Sequence, residues 1–459
     1  MKIYENSHYE KEECSCFMAR DDKERFLVVT GGTKMEEFRG EALLMDGKKA
    51  KKCPLDVHNS RLVREIFPFT KPVSVRGRKF SIGLGDRLGI ASAGHIKAVR
   101  GKGVFPVLAQ QSIRELNLTG RTYDEVLADA TWAVLQEGYE DGYGADGDHL
   151  KTKGEVAMAL EAGFSMITLD CSEFIGDSNL TQSEAGHLET YRDCTFDLPG
   201  GVSINISEEN YTETIAIYGR ALEFTVEVYN ELLRERDDVD FELSIDETMT
   251  PTKPEAHFLI AAWLKEKGVN VLNIAPRFCG EFQKGIDYRG DLMQFEKELR
   301  LHQAVAEYFG HRLSIHSGSD KFSVFPIIGR LTGLDCHVKT AGTNWLEALR
   351  CIATAAPALF RRMYRFALDN LDGAKAYYHI YTEKQMAPDD EALKDTELDR
   401  LLDINESRQI LHVTYGYLLN ETNPFRKIFF ETMHKEETLY HEYLKSHIRR
   451  HLSSLMSMQ

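Results

Sequence analysis

The sequence predicts an α/β protein: a (β/α)8 TIM-like barrel with a small β-rich N-terminal extension and a C-terminal helical appendage. Three observations carry that expectation. From about residue 78, eight short apolar, β-rich runs alternate with helical patterns, and eight strands separated by helices is the barrel count. Five runs end abruptly in acids, histidines and glycines: GYGADGDHLKT (142–152), MITLDCSEF (166–174), FELSIDET (241–248), RLSIHSGSD (312–320) and CHVKTAGT (336–343). Polar chemistry at the C-terminal ends of successive strands is how such a barrel builds a site. Parity is the third observation, because alternate strand residues face the surrounding helices and should be apolar. Ile167, Leu169, Leu243, Ile245, Leu272, Ile274, Leu313, Ile315, Cys336 and Val338 take the outward places. Asp170, Ser244, Asp246, Asn273, His316, His337 and Lys339 are left facing one lumen. A doubly wound open sheet is the alternative.

The elements follow in order. FLVVTGG (26–32) and EALLMDG (41–47) read as strands closed by glycine turns, with a basic run at 48–52. They belong to an extension spanning 1–75 that carries no motif. The barrel, 76–350, takes strands at 79–85, 104–110, 142–148, 166–172, 241–247, 269–275, 312–318 and 335–341. The second is weak, because Pro106 interrupts it. Helical periods fall at 123–137, 155–162, 211–235, 254–267 and 292–308. The remainder, 351–459, is helical with a break at Pro357, and is expected to pack on the barrel or cover its mouth.

Composition narrows the function classes. The 459 residues are 42% hydrophobic and 28% charged, a globular profile. No run approaches the roughly 18 apolar residues of a membrane span, and MKIYENSHYEKEE has no apolar signal core. A net charge of −16 argues against nucleic acid as a partner. An anionic small molecule stays open if a few basic residues sit locally in a cleft. Eight scattered cysteines without a CxxC suggest free thiols in a reducing cytoplasm. A homo-oligomer is left open.

The densest chemistry is Asp146, Asp148, His149 and Lys151 within six positions. Asp and Gly also populate solvated turns, but an apolar strand before and a helix start after favour a site. Small residues follow His316 and leave room for a ligand, and His337 and Lys339 lie on the next strand. The loop NIAPRFCGEFQKG (273–285) carries Arg277, Glu281 and Lys284. Arg and Lys there suit a substrate carboxylate. Glu281 beside histidines suits a divalent cation such as Mn, Co, Ni, Fe or Zn. Asp246 and Glu247 supply paired acids for proton transfer, and Asp170 and Glu173 are similar candidates. GLGDRLG (83–89) fails the dinucleotide spacing, and no nucleophile elbow occurs.

Taken together, GLGDRLGIASAGHI, GADGDHLKT, LDCSEFI, NIAPRFCGEFQKGIDYRGD, LSIHSGSDKFSVFPIIG and HVKTAGTNWLEALR resemble the tagaturonate/fructuronate epimerase family, bacterial enzymes of hexuronate catabolism. The resemblance spans about 78–350 and continues into the helical tail. It implies a metal-dependent barrel enzyme interconverting two keto-hexuronates that differ at C4. It implies Asp148 as proton acceptor, His149, Glu281 and His316 as metal ligands, and Asp246 or Glu247 as proton donor; the strand pattern adds His337 as a candidate ligand. Lys151, Arg277, Lys321 and Lys339 are the candidates for holding the substrate. The C4 proton is not α to the C2 ketone, so a retro-aldol at C3–C4 is the expected chemistry. A metal-dependent ketose isomerase or 3-epimerase working by enediolate proton transfer is the runner-up, ahead of a metal-dependent hydrolase and a non-catalytic binding protein. Parity leaves one conflict: if Asp148 is the last inward residue of its strand, His149 must reach in from the loop.

Overall fold

The computed structural model describes residues 1–457 apart from 177–185, 249, 318 and 341. The eight runs are eight parallel strands: β1 (Phe80–Gly83), β2 (Phe105–Gln111), β3 (Gly144–Leu150), β4 (Met166–Asp170), β5 (Asp240–Ile245), β6 (Asn273–Pro276), β7 (Arg312–His316) and β8 (Cys336–Lys339). Each pairs with the next, and β8 returns to β1 with Lys339 opposite Gly83. The sheet is therefore a closed barrel, which excludes the open doubly wound alternative. Pro106 is the second residue of β2, where one missing donor does not stop pairing.

Parity decides what the barrel encloses. Leu169, Leu243, Ile245, Leu313, Ile315 and Val338 are buried in one apolar shell between strands and helices. Local signals set the strand-to-helix turns. Thr152 caps the helix Lys153–Ala162, and Glu155 reciprocates by bonding the Thr152 amide, a capping box. The motif DHLKT is thus a strand end and a helix start at once, which fixes His149 and Lys151 at the barrel rim.

In the extension, strands Ser15–Arg20, Arg25–Gly31, Lys48–Pro54 and Glu41–Met45 lie side by side in a six-stranded sheet. The basic run is itself a strand: Ala50 and Cys53 are buried while lysines point out. This sheet and helix Val57–Ile66 pack on helix Tyr123–Glu137 through Leu27, Val63, Trp132 and Leu135.

Beyond the barrel, Pro357 separates helices Thr343–Ala355 and Pro357–Asp369. They share a second core with the following helices, built around Trp345, Phe360, Leu411 and Phe429. The final helix, Glu437–Leu455, lies along the barrel against helices Ser92–Val99 and Phe325–Thr332. Contact is close at Gly329, where a Cβ would stand 1.7 Å from the Leu455 carbonyl oxygen. Among the described residues no helix is long and apolar enough to cross a membrane.

Candidate active site

The C-terminal ends of the strands open into a cavity of about 660 Å3. Its floor is ionic. Lys339 Nζ from β8 meets Asp148 Oδ1 at 2.7 Å, Asp146 Oδ2 at 2.8 Å, Glu242 Oε1 at 2.9 Å and Thr168 Oγ1 at 2.6 Å. Burial alone would lower the lysine pKa, but the three carboxylates outweigh it and hold the ammonium well above its usual range. With an ammonium's three donors fully engaged, Lys339 anchors the floor and has no donor left for a ligand.

Above it stand two imidazoles, each held on one nitrogen by a carboxylate. His149 Nδ1 lies 2.8 Å from Asp148 Oδ1, and His316 Nε2 lies 2.8 Å from Glu242 Oε1. Their other nitrogens turn toward one carboxylate: His316 Nδ1 is 3.2 Å from Asp246 Oδ2, and His149 Nε2 is 3.7 Å from Asp246 Oδ1. The rings are 4.8 Å apart. His316 Nδ1 is buried and, among the described residues, makes no hydrogen bond of good geometry, its nearest acceptor being Asp246. His149, Asp246 and His316 thus form a two-histidine, one-carboxylate group that could hold a metal ion. The carboxylate behind each imidazole is the usual arrangement for fixing ring orientation and raising ligand basicity.

Without a metal, the same charges hold the pKa values apart. Burial would raise Asp148 and Asp246, but Lys339 and His149 outweigh it at the first and His316 and His149 at the second, so both lie well below the usual carboxylate range. Burial would lower His149, but Asp148 and Asp246 lift it well above the ordinary value.

His149 reaches this group through a bulge. Gly147 pairs with Ile167 and Leu150 with Leu169, so three steps on β3 match two on β4. The extra residue puts Asp148 and His149 both on the cavity side, and His149 takes a left-handed φ of 51°, unusual outside glycine and strained. That resolves the parity conflict: His149 belongs to the strand.

The other expected residues fall in different places. Glu247 lines the cavity between Arg114 at 3.6 Å and Lys151 at 3.8 Å. Lys151 also bonds Ser172 at 3.0 Å and lies 3.5 Å from Asp170. Arg277 and Glu281 line the wall that follows β6. Glu281 stands outside the converging group: its main chain bridges Arg289 and its Oε2 accepts from Gln283 at 2.7 Å. His337 lies one layer deeper than Lys339, sharing a hydrogen bond with Ser81 at 2.9 Å, and burial pushes its ring down to about 3. Lys321 points away from the cavity, donating to the carbonyls of Gln283 and Ile286 at 3.0 and 2.7 Å. Two residues that sequence reasoning missed are central: Glu242, two places before Ser244 on the same inward parity, and Gln110, whose Nε2 donates to Asp148 Oδ2 at 3.1 Å.

The profile of the tagaturonate epimerase family matches residues 4–455. The chain belongs to that family. A curated tagaturonate/fructuronate epimerase from Thermotoga maritima is 39% identical over 469 residues, covering 99% of this chain and 97% of that protein. A glycerol-complexed crystal structure of fructuronate-tagaturonate epimerase from Cohnella laeviribosi superposes with a TM-score of 0.94 at 45% identity, covering 99% of this chain and 96% of the other. The native crystal structure of the same protein gives 0.94 at 44% identity with the same coverage. These epimerases are isomerase-class enzymes, and the family likeness spans barrel, extension and helical tail together. A second group within the described residues, Asp320, His447 and His451, could also hold a metal. It ties the final helix to the loop after β7, with Asp320 also paired to Arg408 at 2.6 Å.

Proposed function

We propose that this chain interconverts D-tagaturonate and D-fructuronate, inverting C4 through a retro-aldol cleavage and re-addition that depends on a divalent metal. Two imidazoles backed by carboxylates and facing Asp246 in a cavity carry the metal part of this reading, and family membership supports the substrate pair. His149, Asp246 and His316 would hold the cation. When bound, it supplies a Lewis acid that stabilises negative charge on the C2 and C3 oxygens of the substrate.

The chain's own residues then divide the proton work. Asp148, kept ionised by Lys339 and His149, takes the proton of the C4 hydroxyl. The C3–C4 bond breaks, its electrons pass to C3 and the C2 carbonyl, and C4 becomes an aldehyde. Rotation about C4–C5 presents the other aldehyde face. C3 adds back, and the new C4 oxygen takes a proton from Glu247 on the wall after β5. The two carboxyl groups exchange roles in the reverse direction, as microscopic reversibility requires. Asp246 is left to the metal group, so of the two acids at the end of β5, Glu247 is the proton donor.

The test is an NMR time course with fructuronate and metal-loaded protein in deuterated water. Tagaturonate should appear with no deuterium at C3 or C4, and EDTA should stop it. Deuterium entering at C1 or C3 would replace this reading with enediolate proton transfer. No conversion with Mn, Co, Ni or Zn would overturn it.

A further inference from the structure

A keto-hexuronate carries its negative charge at C6, beyond the bond that breaks, and the sequence offers five cations for holding it: Lys151, Arg277, Lys284, Lys321 and Lys339. Lys339 has no free donor, and Lys321 is buried against main-chain carbonyls. Lys151 is taken up by Ser172 and the acids around it. Arg277 lines the wall as a single cation.

A stronger anion site lies where the loop after β1 meets the cavity. Arg87, in the loop after β1, borders the cavity and is only 3% exposed. Its Nε donates to Glu115 at 2.6 Å and its Nη2 pairs with the same carboxylate, while its Cζ lies over the Tyr415 ring, 4.2 Å from the centroid. The remaining nitrogen, Nη1, is buried without a hydrogen-bond partner among the described residues. Beside it in the cavity wall is Lys284, whose ammonium has no hydrogen-bond or ion-pair partner among the described residues. Burial and the charges of Arg87 and Arg114 press the Lys284 pKa down. Glu115 is paired with Arg87 alone, and Lys284 feels Glu115 and Glu247 only from beyond ion-pair distance, so the two cations leave a place for an anion between them and the cavity.

The backbone behind Arg87 fits the same purpose. Helix Thr343–Ala355 starts at Gly342, in a left-handed conformation with φ 97°, and no side chain caps it. A Cβ on Gly342 would stand 2.9 Å from Arg87 Nη1 and 2.8 Å from His412 Nε2, so only glycine lets the three approach. His412 is fully buried, and both its ring nitrogens are unpartnered among the described residues. In a barrel, the loop after the eighth strand and the helix start beyond it are a recurrent place for anions.

We propose that Arg87 and Lys284, backed by the Gly342 turn and His412, bind the C6 carboxylate of the sugar acid. This rests on the substrate class given above. The bound carboxylate is the fixed point about which the C4 aldehyde turns, so the fragment stays in place between cleavage and re-addition.

Glycerate is the probe, because it reproduces the carboxylate and the adjoining hydroxyl; glycerol is its uncharged counterpart. Binding is read by thermal shift and by competition with fructuronate. Glycerate should bind wild type about 100-fold more tightly than glycerol, as expected for charged hydrogen bonds made out of water. Lys284→Met should remove most of that difference and leave glycerol binding unchanged, Lys284→Arg should keep it, and Arg277→Met should change it little. Equal binding of glycerate and glycerol by wild type would overturn the proposal. So would a preference that survives Lys284→Met or disappears in Arg277→Met. Because thermal shift needs no turnover, an inactive wild type would sink the reaction while leaving the carboxylate site to be judged on glycerate alone.

Discussion

Glu242 ties the buried lysine of the floor to the imidazole above it. Its Oε1 is shared between His316 and Lys339, and its Oε2 accepts from Asn273 at 3.0 Å. Glu242→Gln keeps the shape but removes the charge that orients the His316 ring. Metal affinity should fall roughly 10- to 100-fold, with activity partly restored at high metal concentration. An unchanged affinity would mean that Glu242 serves the floor ion pair alone. The rule that misses Glu242 is the one that finds Asp246: strand parity. Attention settles on the polar end of FELSIDET, while Glu242 lies a full layer deeper, where a lone acid in an apolar run looks like an exception. Arg87 is harder to see. Its motif reads first as a failed phosphate loop, and nothing in the linear sequence shows that Gly342, Lys284 and His412 fold around it.

At the scale of elements, strand and helix signals are strong because apolar period and capping agree. Helix Tyr123–Glu137 falls where the periodicity places it, and the break at Pro357 separates two helices as the missing donor requires. A bulge leaves no such mark. The extra residue in β3 follows from pairing with β4, so the sequence indicates that His149 is special without showing how it turns inward. The seam between helices Phe325–Thr332 and Glu437–Leu455 offers a direct test. Gly329→Ala would drive a methyl into the Leu455 carbonyl, and overpacking of this kind should cost about 3 kcal/mol. A lower melting temperature, with metal binding per folded molecule unchanged, is the expected result; no loss of stability would mean that the final helix shifts freely on the barrel.

At the scale of the whole molecule, the same final helix is held by charge as well as packing. His447 Nε2 lies 2.9 Å from Asp320 Oδ1, and His447 Nδ1 lies 3.4 Å from Glu347. Burial would lower the His447 pKa, but Asp320 and Glu347 raise it above its ordinary value. Burial would raise Asp320, but His447 and Arg408 hold it well below the usual carboxylate range. A raised histidine contributes stability that is full below its unfolded pKa and is lost as pH climbs through the folded value. A depressed carboxylate contributes stability that is full above its unfolded pKa and is lost as pH falls through the folded one. The pair therefore contributes most between about pH 4 and 6.5, given ordinary Asp and His values. His447→Gln should lower stability by about 3 kcal/mol near pH 6, and the gap to wild type should narrow toward pH 9. A gap that stays constant across that range would show that the histidine acts through packing alone.

The closed barrel also constrains how the chain is made. Ser81 on β1 and His337 on β8 are hydrogen-bonded across 256 positions, and the cation that neutralises Asp146, Asp148 and Glu242 arrives only with β8. At 5–20 residues per second, a ribosome takes roughly 5 to 20 s to travel the roughly 100 residues from Glu242, the last of these acids, to Lys339. Throughout that interval the three carboxylates lack the ammonium that joins them in the finished floor, and repel one another if brought together. The half-made sheet thus resists collapsing around them, and the lumen can seal only once the eighth strand has left the exit tunnel.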